Sequence, residues 1–200
     1  MLDRIGKLLP ALALTAAAAL VVVLSLKVRD LNDRYGQLLE RATRPYAGMW
    51  VPTFRTSTLD GAPVTVGESP GAGRQVLFVF TTTCPYCKTT LPAWDAIAAE
   101  LDTVRSVPVA VYGISLDSAD VTRRYAAANR LPFPVVRFPE DKLAAIYRAQ
   151  TVPLTLVLDE RGRTIHSRLG EMTERAAIDS VLAAVRWKPE PPTAGATASR

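Results

Sequence analysis

The chain has two cysteines in 200 residues, and both fall in one short stretch, Phe80-Thr81-Thr82-Thr83-Cys84-Pro85-Tyr86-Cys87-Lys88. The run before them, Gln75 to Thr81, reads QVLFVFT, and its β-branched and aromatic content predicts a buried strand. The run after them carries Leu91, Trp94, Ile97, Ala98 and Leu101, a spacing that gives a helix one apolar face. Pro92 inside that helix predicts a kink. A strand that turns into a helix at a C-x-x-C pair puts two sulfurs about one helical turn apart at a helix N-terminus. Unpaired N–H groups and the helix dipole there favour a thiolate on the first sulfur. Cys84 is therefore the candidate nucleophile, and Cys87, one turn deeper, the candidate resolving residue that attacks a mixed disulfide. Pro85 suits the first turn, where its missing N–H costs nothing.

The same spacing is half of a zinc site. A tetrahedral structural site needs four ligands, and the remaining soft candidate is His166, the single histidine, so no metal is expected. The formal charge of +5 comes from scattered Lys and Arg rather than a basic stripe with interleaved aromatics, which argues against a nucleic-acid partner.

Leu8 to Leu26, LLPALALTAAAALVVVLSL, carries no charged side chain and as a helix would rise roughly 28 Å, about one bilayer core. It predicts a transmembrane helix. Arg4 and Lys7 precede it as in a signal peptide, and Ala16-Ala17-Ala18 offers a small-x-small pattern. A cut there would leave Leu20 to Leu26 as an apolar tail, so an uncleaved signal anchor is expected, with the following domain outside the cytoplasm. Lys27, Arg29 and Arg34 on the far side weigh against that orientation under the positive-inside rule. The chain then divides into a leader and anchor (1–27), a juxtamembrane helix and linker (28–49), a folded domain (50–187) and a Pro-, Ala- and Thr-rich tail expected to be disordered (188–200).

Within the domain, Phe54 to Leu59, the Asp60-Gly61 turn and Val64 to Val66 predict a β-hairpin, and Gly67 to Gly73 a loop. Val107 to Ile114 predicts a second buried strand, parallel to the first through a right-handed crossover. Partners should then meet the sheet at the C-terminal ends of these strands. Ala119 to Asn129 predicts a helix, Pro132 to Phe138 a strand and Asp141 to Arg148 a helix. Thr151 to Leu158 predicts a strand with proline near its start, Asp159 to Gly162 a turn, Thr164 to Leu169 a strand, and Thr173 to Val185 a closing amphipathic helix.

A strand, a C-x-x-C that opens a helix with a proline five residues after the second cysteine, a distant apolar-Pro at a strand start, and a final hairpin and helix together resemble the thioredoxin fold. The anchor, the D-G hairpin and the extra strand and helix between Pro132 and Arg148 are similar to the membrane-anchored TlpA/ResA branch, over nearly all of the chain after residue 50. The segments GAGRQVLFVF and C-P-x-C-K-x-x-L-P are also similar to MauD-type proteins. The resemblance implies an α/β thioredoxin-like domain with an N-terminal β-hairpin and a central strand-helix insertion, preceded by one transmembrane helix. It implies a cis Pro153 beside the cysteines, shaping a groove in which Val152, Pro85 and Tyr86 help to bind a client. The implied activity is extracytoplasmic thiol:disulfide exchange between a Cys84-Cys87 dithiol or disulfide and client proteins, in maturation of a cytochrome or a disulfide-rich enzyme. No cofactor is implied, and a membrane redox partner would resupply the pair.

Three departures bear on mechanism. Thr83 stands where the family usually has tryptophan, Thr90 stands where ResA-type reductants often carry an acid, and Gln75 to Thr82 holds no buried acid. The proton acceptor for Cys87 is thus open, with water, Glu140 and Asp141 as candidates. A competing reading is a peroxiredoxin-like thiol peroxidase with Cys84 as peroxidatic cysteine. Thr81 stands three residues before it, but Leu77 replaces the expected proline, and Arg137 and Arg148 are the candidate arginine partners. A third is a non-catalytic, membrane-held assembly factor. His166 is expected to be structural, and Trp50, Trp94 and Trp187 to be packing or interface residues.

Overall fold

The computed structural model describes residues 2–68, 73–103 and 108–187, without the side chains of 2–13, 15 and 37–42. The predicted tail at 188–200 and most of the predicted loop at 67–73 lie outside the described residues. The chain divides into two compact units, Met1–Thr43 and Arg44–Arg200.

The first unit is one helix, α1 (Leu2–Thr43), where the sequence suggested an anchor followed by a separate juxtamembrane helix. It passes Gly36 without a break, and Arg34 and Asp30, one turn apart, pair at 3.1 Å. Among the described residues no helix is long and apolar enough to cross a membrane. The predicted span 8–26 begins outside the residues whose side chains are described.

The second unit is an α/β domain. Its elements are β1 (Phe54–Ser57), β2 (Pro63–Val66), β3 (Arg74–Phe80), α2 (Pro85–Thr103), β4 (Val109–Ser115), α3 (Ala119–Asn129), β5 (Val135–Arg137), α4 (Asp141–Ile146), β6 (Leu154–Leu158), β7 (Thr164–Leu169) and α5 (Arg175–Arg186). The main sheet has the order β5-β4-β3-β6-β7, and β1 and β2 form a separate antiparallel hairpin. β3 runs parallel to β4 and antiparallel to β6.

β3 is central and covered on both faces, which explains its unbroken apolar sequence: all seven residues are buried. On one face Val76, Phe78 and Phe80 pack with Trp94, Ile97 and Leu101 of α2 and with Val181 and Val185 of α5. On the other, Leu77 and Val79 pack with Phe54, Val66, Leu143 and Tyr147. The polar Gln75 is tolerated because the hairpin satisfies it: its Oε1 accepts the Gly67 N–H at 2.9 Å and its Nε2 donates to the Thr65 carbonyl at 3.0 Å. The hairpin also meets β5, with Leu59 N–H on the Val135 carbonyl at 3.0 Å and Thr56 Oγ1 on the Arg137 carbonyl at 3.1 Å.

α2 is continuous through Pro92. Its anchor is Trp94, fully buried, stacked on Phe78 with ring centroids 5.0 Å apart. The indole N–H of Trp94 donates to Thr155 Oγ1 of β6 at 2.9 Å, which ties the cysteine helix to the strand that follows Pro153. β6 itself begins at Leu154, directly after a cis Val152-Pro153 peptide, rather than at Thr151. Thr155→Val should leave the buried indole donor unpaired and lower stability by about 1–3 kcal/mol. In denaturant titration the expected result is a lower midpoint at an unchanged slope.

Candidate active site

β3 ends at Phe80, and the chain turns through 81–84 into α2. Cys84 occupies the cap of that helix: its carbonyl accepts the Lys88 N–H at 3.3 Å, and Pro85 is the first helical residue. Its Sγ accepts the Cys87 N–H at 3.3 Å, the arrangement in which a capping side chain satisfies the third helical amide. A donor so placed stabilises the negative charge a sulfur carries when it attacks. Both cysteines are free thiols, Cys84 half-buried and Cys87 fully buried.

Val152 lies opposite. Because β6 is antiparallel to β3, the segment leading into it sits at the end of the sheet where β3 finishes, and Cys84 Sγ is 3.9 Å from the Val152 carbonyl. The structure thus brings Cys84, Cys87 and Val152 together beside the cis Pro153. Pro85 and Tyr86 are exposed on the first turn of α2, next to Cys84.

Burial pushes the Cys87 thiol from an ordinary 9.0 up to about 12, assisted by its hydrogen bond with Cys84 and by the negative charge of Asp117, with the Thr81 amide acting in the opposite direction. Asp117 is the carboxylate that the sequence reading missed. It follows β4 by two residues, and its Oδ2 accepts the Thr82 N–H at 2.5 Å, so it holds the turn that presents the cysteines. Its own backbone is fixed by Arg137 Nε on its carbonyl and by Ser115 Oγ, 3.2 Å from its amide. The available signal was topological: a carboxylate just past the end of a strand parallel to β3 belongs beside the residues just past β3. Glu140 and Asp141 stand instead at the start of α4, Glu140 paired with Lys142, and neither contributes to the shift of Cys87.

Thr90 is a packing residue here. It is fully buried, donates to the Tyr86 carbonyl at 2.7 Å and accepts the Met172 N–H at 3.2 Å. The candidate arginine partners of a peroxidatic Cys84 have other contacts. Arg137 bonds Asp117, and Arg148 bonds the Arg44 carbonyl at 3.0 Å and covers the Tyr46 ring. His166 sits on β7, two strands from β3, its pKa lowered by burial and by Arg168. Among the described residues no group of three His, Cys, Asp or Glu side chains could hold a metal ion.

The sequence pattern of the AhpC/TSA family matches residues 47–167. The chain belongs to the AhpC/TSA family. Sporulation thiol-disulfide oxidoreductase A of Bacillus subtilis (strain 168) is 29% identical over 123 residues, 60% of this chain and 72% of that protein. Methylamine utilization protein MauD of Methylophilus methylotrophus is 26% identical over 179 residues, 87% of this chain and 80% of that protein. The chain is accordingly TlpA/ResA-like, with MauD among its relatives. The crystal structure of StoA from Bacillus subtilis superposes with a TM-score of 0.56 at 22% identity, over 66% of this chain and 96% of that one, so the fold is thioredoxin-like.

The raised Cys87 thiol has a consequence for stability. Between about pH 9 and pH 12 the unfolded chain releases a proton that the folded, reduced chain still holds, so stability falls as pH rises through that window. The midpoint of denaturant unfolding of the reduced protein should drop across it more steeply than that of Cys87→Ser. Parallel pH profiles for the two would contradict a thiol held protonated by burial.

Proposed function

We propose that this protein is a thiol:disulfide oxidoreductase that exchanges the Cys84-Cys87 pair with client proteins. The observation that carries the reading is the asymmetry of two thiols one helical turn apart: Cys84 half-exposed with an amide aimed at its sulfur, Cys87 sealed behind it. The Cys84 thiolate attacks one sulfur of a client disulfide, an S–S bond forms to Cys84, and the other client sulfur leaves with the electron pair and takes a proton. Cys87 then loses its proton and attacks Cys84, forming the Cys84-Cys87 disulfide and expelling the second client sulfur, which leaves with the electron pair and takes up that proton. Two electrons and two protons pass to the client, and a membrane redox partner returns the pair to the dithiol. The same steps in reverse oxidise a client.

Val152, Pro85 and Tyr86 form the client-binding rim with Pro153, supported by their position around Cys84. The name of the sporulation thiol-disulfide oxidoreductase fits this activity, and maturation of a cytochrome or a disulfide-rich enzyme is the proposed setting. No observation favours the peroxidase or the non-catalytic reading over exchange.

The reading includes a single-pass anchor at residues 8–26, with the cysteine domain on the extracytoplasmic, periplasmic side and residues 28–49 linking the two. Support comes from the uncharged run itself, from the exposure of every side chain from Leu20 to Leu24, and from the length of the likeness to MauD.

Incubation with oxidised client proteins tests the chemistry. Cys84→Ser should abolish exchange, at least a hundredfold below the wild-type rate on the order of effects seen for a lost nucleophile. Cys87→Ser should accumulate a Cys84-linked mixed disulfide, visible on non-reducing gels and lost with reductant. Full exchange activity in Cys84→Ser would overturn the assignment.

A further inference from the structure

Tyr125 is a half-buried titratable residue that the exchange steps above leave unused. It lies on α3, its ring packs on Phe80, the last residue of β3, with centroids 5.7 Å apart, and it belongs to the apolar cluster that also contains Cys87 and Cys84. Its hydroxyl is buried and has no hydrogen-bond partner among the described residues. A phenol closed off from water without a partner is costly, and in a reduced protein it marks a donor whose acceptor is incomplete. Cys87 and Cys84 belong to the same cluster, and the hydroxyl bonds neither sulfur in this reduced structure. Burial pushes the Tyr125 phenol above its ordinary range, and the charges that Cys87 and then Cys84 can carry push it further, so charge on either sulfur is felt at this hydroxyl.

The resolving step needs such a donor. Cys87 must become a thiolate in a place where burial, Cys84 and the Asp117 carboxylate all oppose the charge, and the Thr81 amide is the favourable backbone contact. Phe80 holds the Tyr125 ring against the same end of β3.

Resting on the exchange reading, we propose that Tyr125 is a further catalytic residue: its hydroxyl donates a hydrogen bond to Cys87 Sγ as that sulfur attacks the mixed disulfide. Tyr125 keeps its own proton. The proton that Cys87 gives up ends on the departing client sulfur, and the electron pair of the broken Cys84–client bond leaves with that sulfur.

Tyr125→Phe tests this, because it removes the hydroxyl and keeps the ring on Phe80. With the reduced full chain and glutathione disulfide as the probe, acid-quenched samples are resolved by mass into thiol, glutathionylated and internally oxidised forms. Glutathionylation of Cys84, followed in Cys87→Ser with and without Tyr125→Phe, should proceed at matching rates. Conversion of the mixed disulfide to Cys84-Cys87 should be about 10-fold slower or more in Tyr125→Phe alone, the effect of one lost hydrogen bond to a charged sulfur, so that the glutathionylated form accumulates. Resolution within twofold of wild type, or equal slowing of both steps, would overturn the proposal while leaving exchange intact. Failure of Cys87→Ser to hold any glutathione would overturn the exchange reading and this inference together.

Discussion

The site depends on how β3 is paired. Its parallel neighbour β4 finishes at the same end of the sheet, and its antiparallel neighbour β6 begins there. One end of one strand therefore collects three segments distant in sequence: the cysteine turn after β3, Asp117 after β4 and Val152-Pro153 before β6. The pairing requires β3 to be buried on both faces, and its sequence meets that requirement with aromatic and branched residues on each side. Stabilisation of the strand and delivery of the chemistry are the same structural fact. Weakening the packing of Phe78 and Trp94 would loosen both, since Trp94 lies on the helix the cysteines open and bonds Thr155, two residues beyond the cis proline.

The two sulfurs are inequivalent for electrostatic reasons. Cys84 sits at a helix start with an amide directed at it, whereas Cys87 sits behind it where water is excluded and a carboxylate stands near. A thiol held protonated cannot attack prematurely. The order of events, first Cys84 on the client and then Cys87 on Cys84, follows from that difference without a separate gate. Once Cys84 is in a mixed disulfide, its sulfur no longer shares a proton with Cys87, and one of the contributions that holds the Cys87 proton is gone.

Local pattern carried most of the architecture. The C-x-x-C pair, the apolar strands, the D-G hairpin and the span of α3 were legible because each rests on neighbours in sequence, and α3 matches its predicted limits at Ala119 and Asn129. The start of β6 was placed three residues early because periodicity cannot register a cis peptide. The break expected between an anchor and a juxtamembrane helix is absent because residues 20–35 across that boundary hold no glycine or proline to end a helix. Asp117 and Tyr125 were missed for one reason: nothing near either residue in sequence announces a cysteine. Their relevance appears only when β4 is known to lie beside β3 and α3 to pack over the end of that strand. Glu140 and Asp141 were plausible carboxylates by composition, but their position at the start of α4 directs them to local pairing.

Asp117 has two effects that pull in different directions, and both follow from its place. Its carboxylate fixes the Thr82 amide, while its backbone is held by Arg137 of β5 and by Ser115, whose hydroxyl is shared with Thr122 of α3 at 2.7 Å. The turn carrying the nucleophile is thereby linked to β5 and to the same helix that carries Tyr125. The charge that makes this link strong also raises the cost of ionising Cys87. A neutral amide at the position could keep part of the link and would relieve the cost, whereas an apolar residue would leave the Thr82 amide without its partner. The carboxylate thus couples the rigidity of the cysteine turn to the reluctance of the second thiol, so neither can be altered at this residue without altering the other.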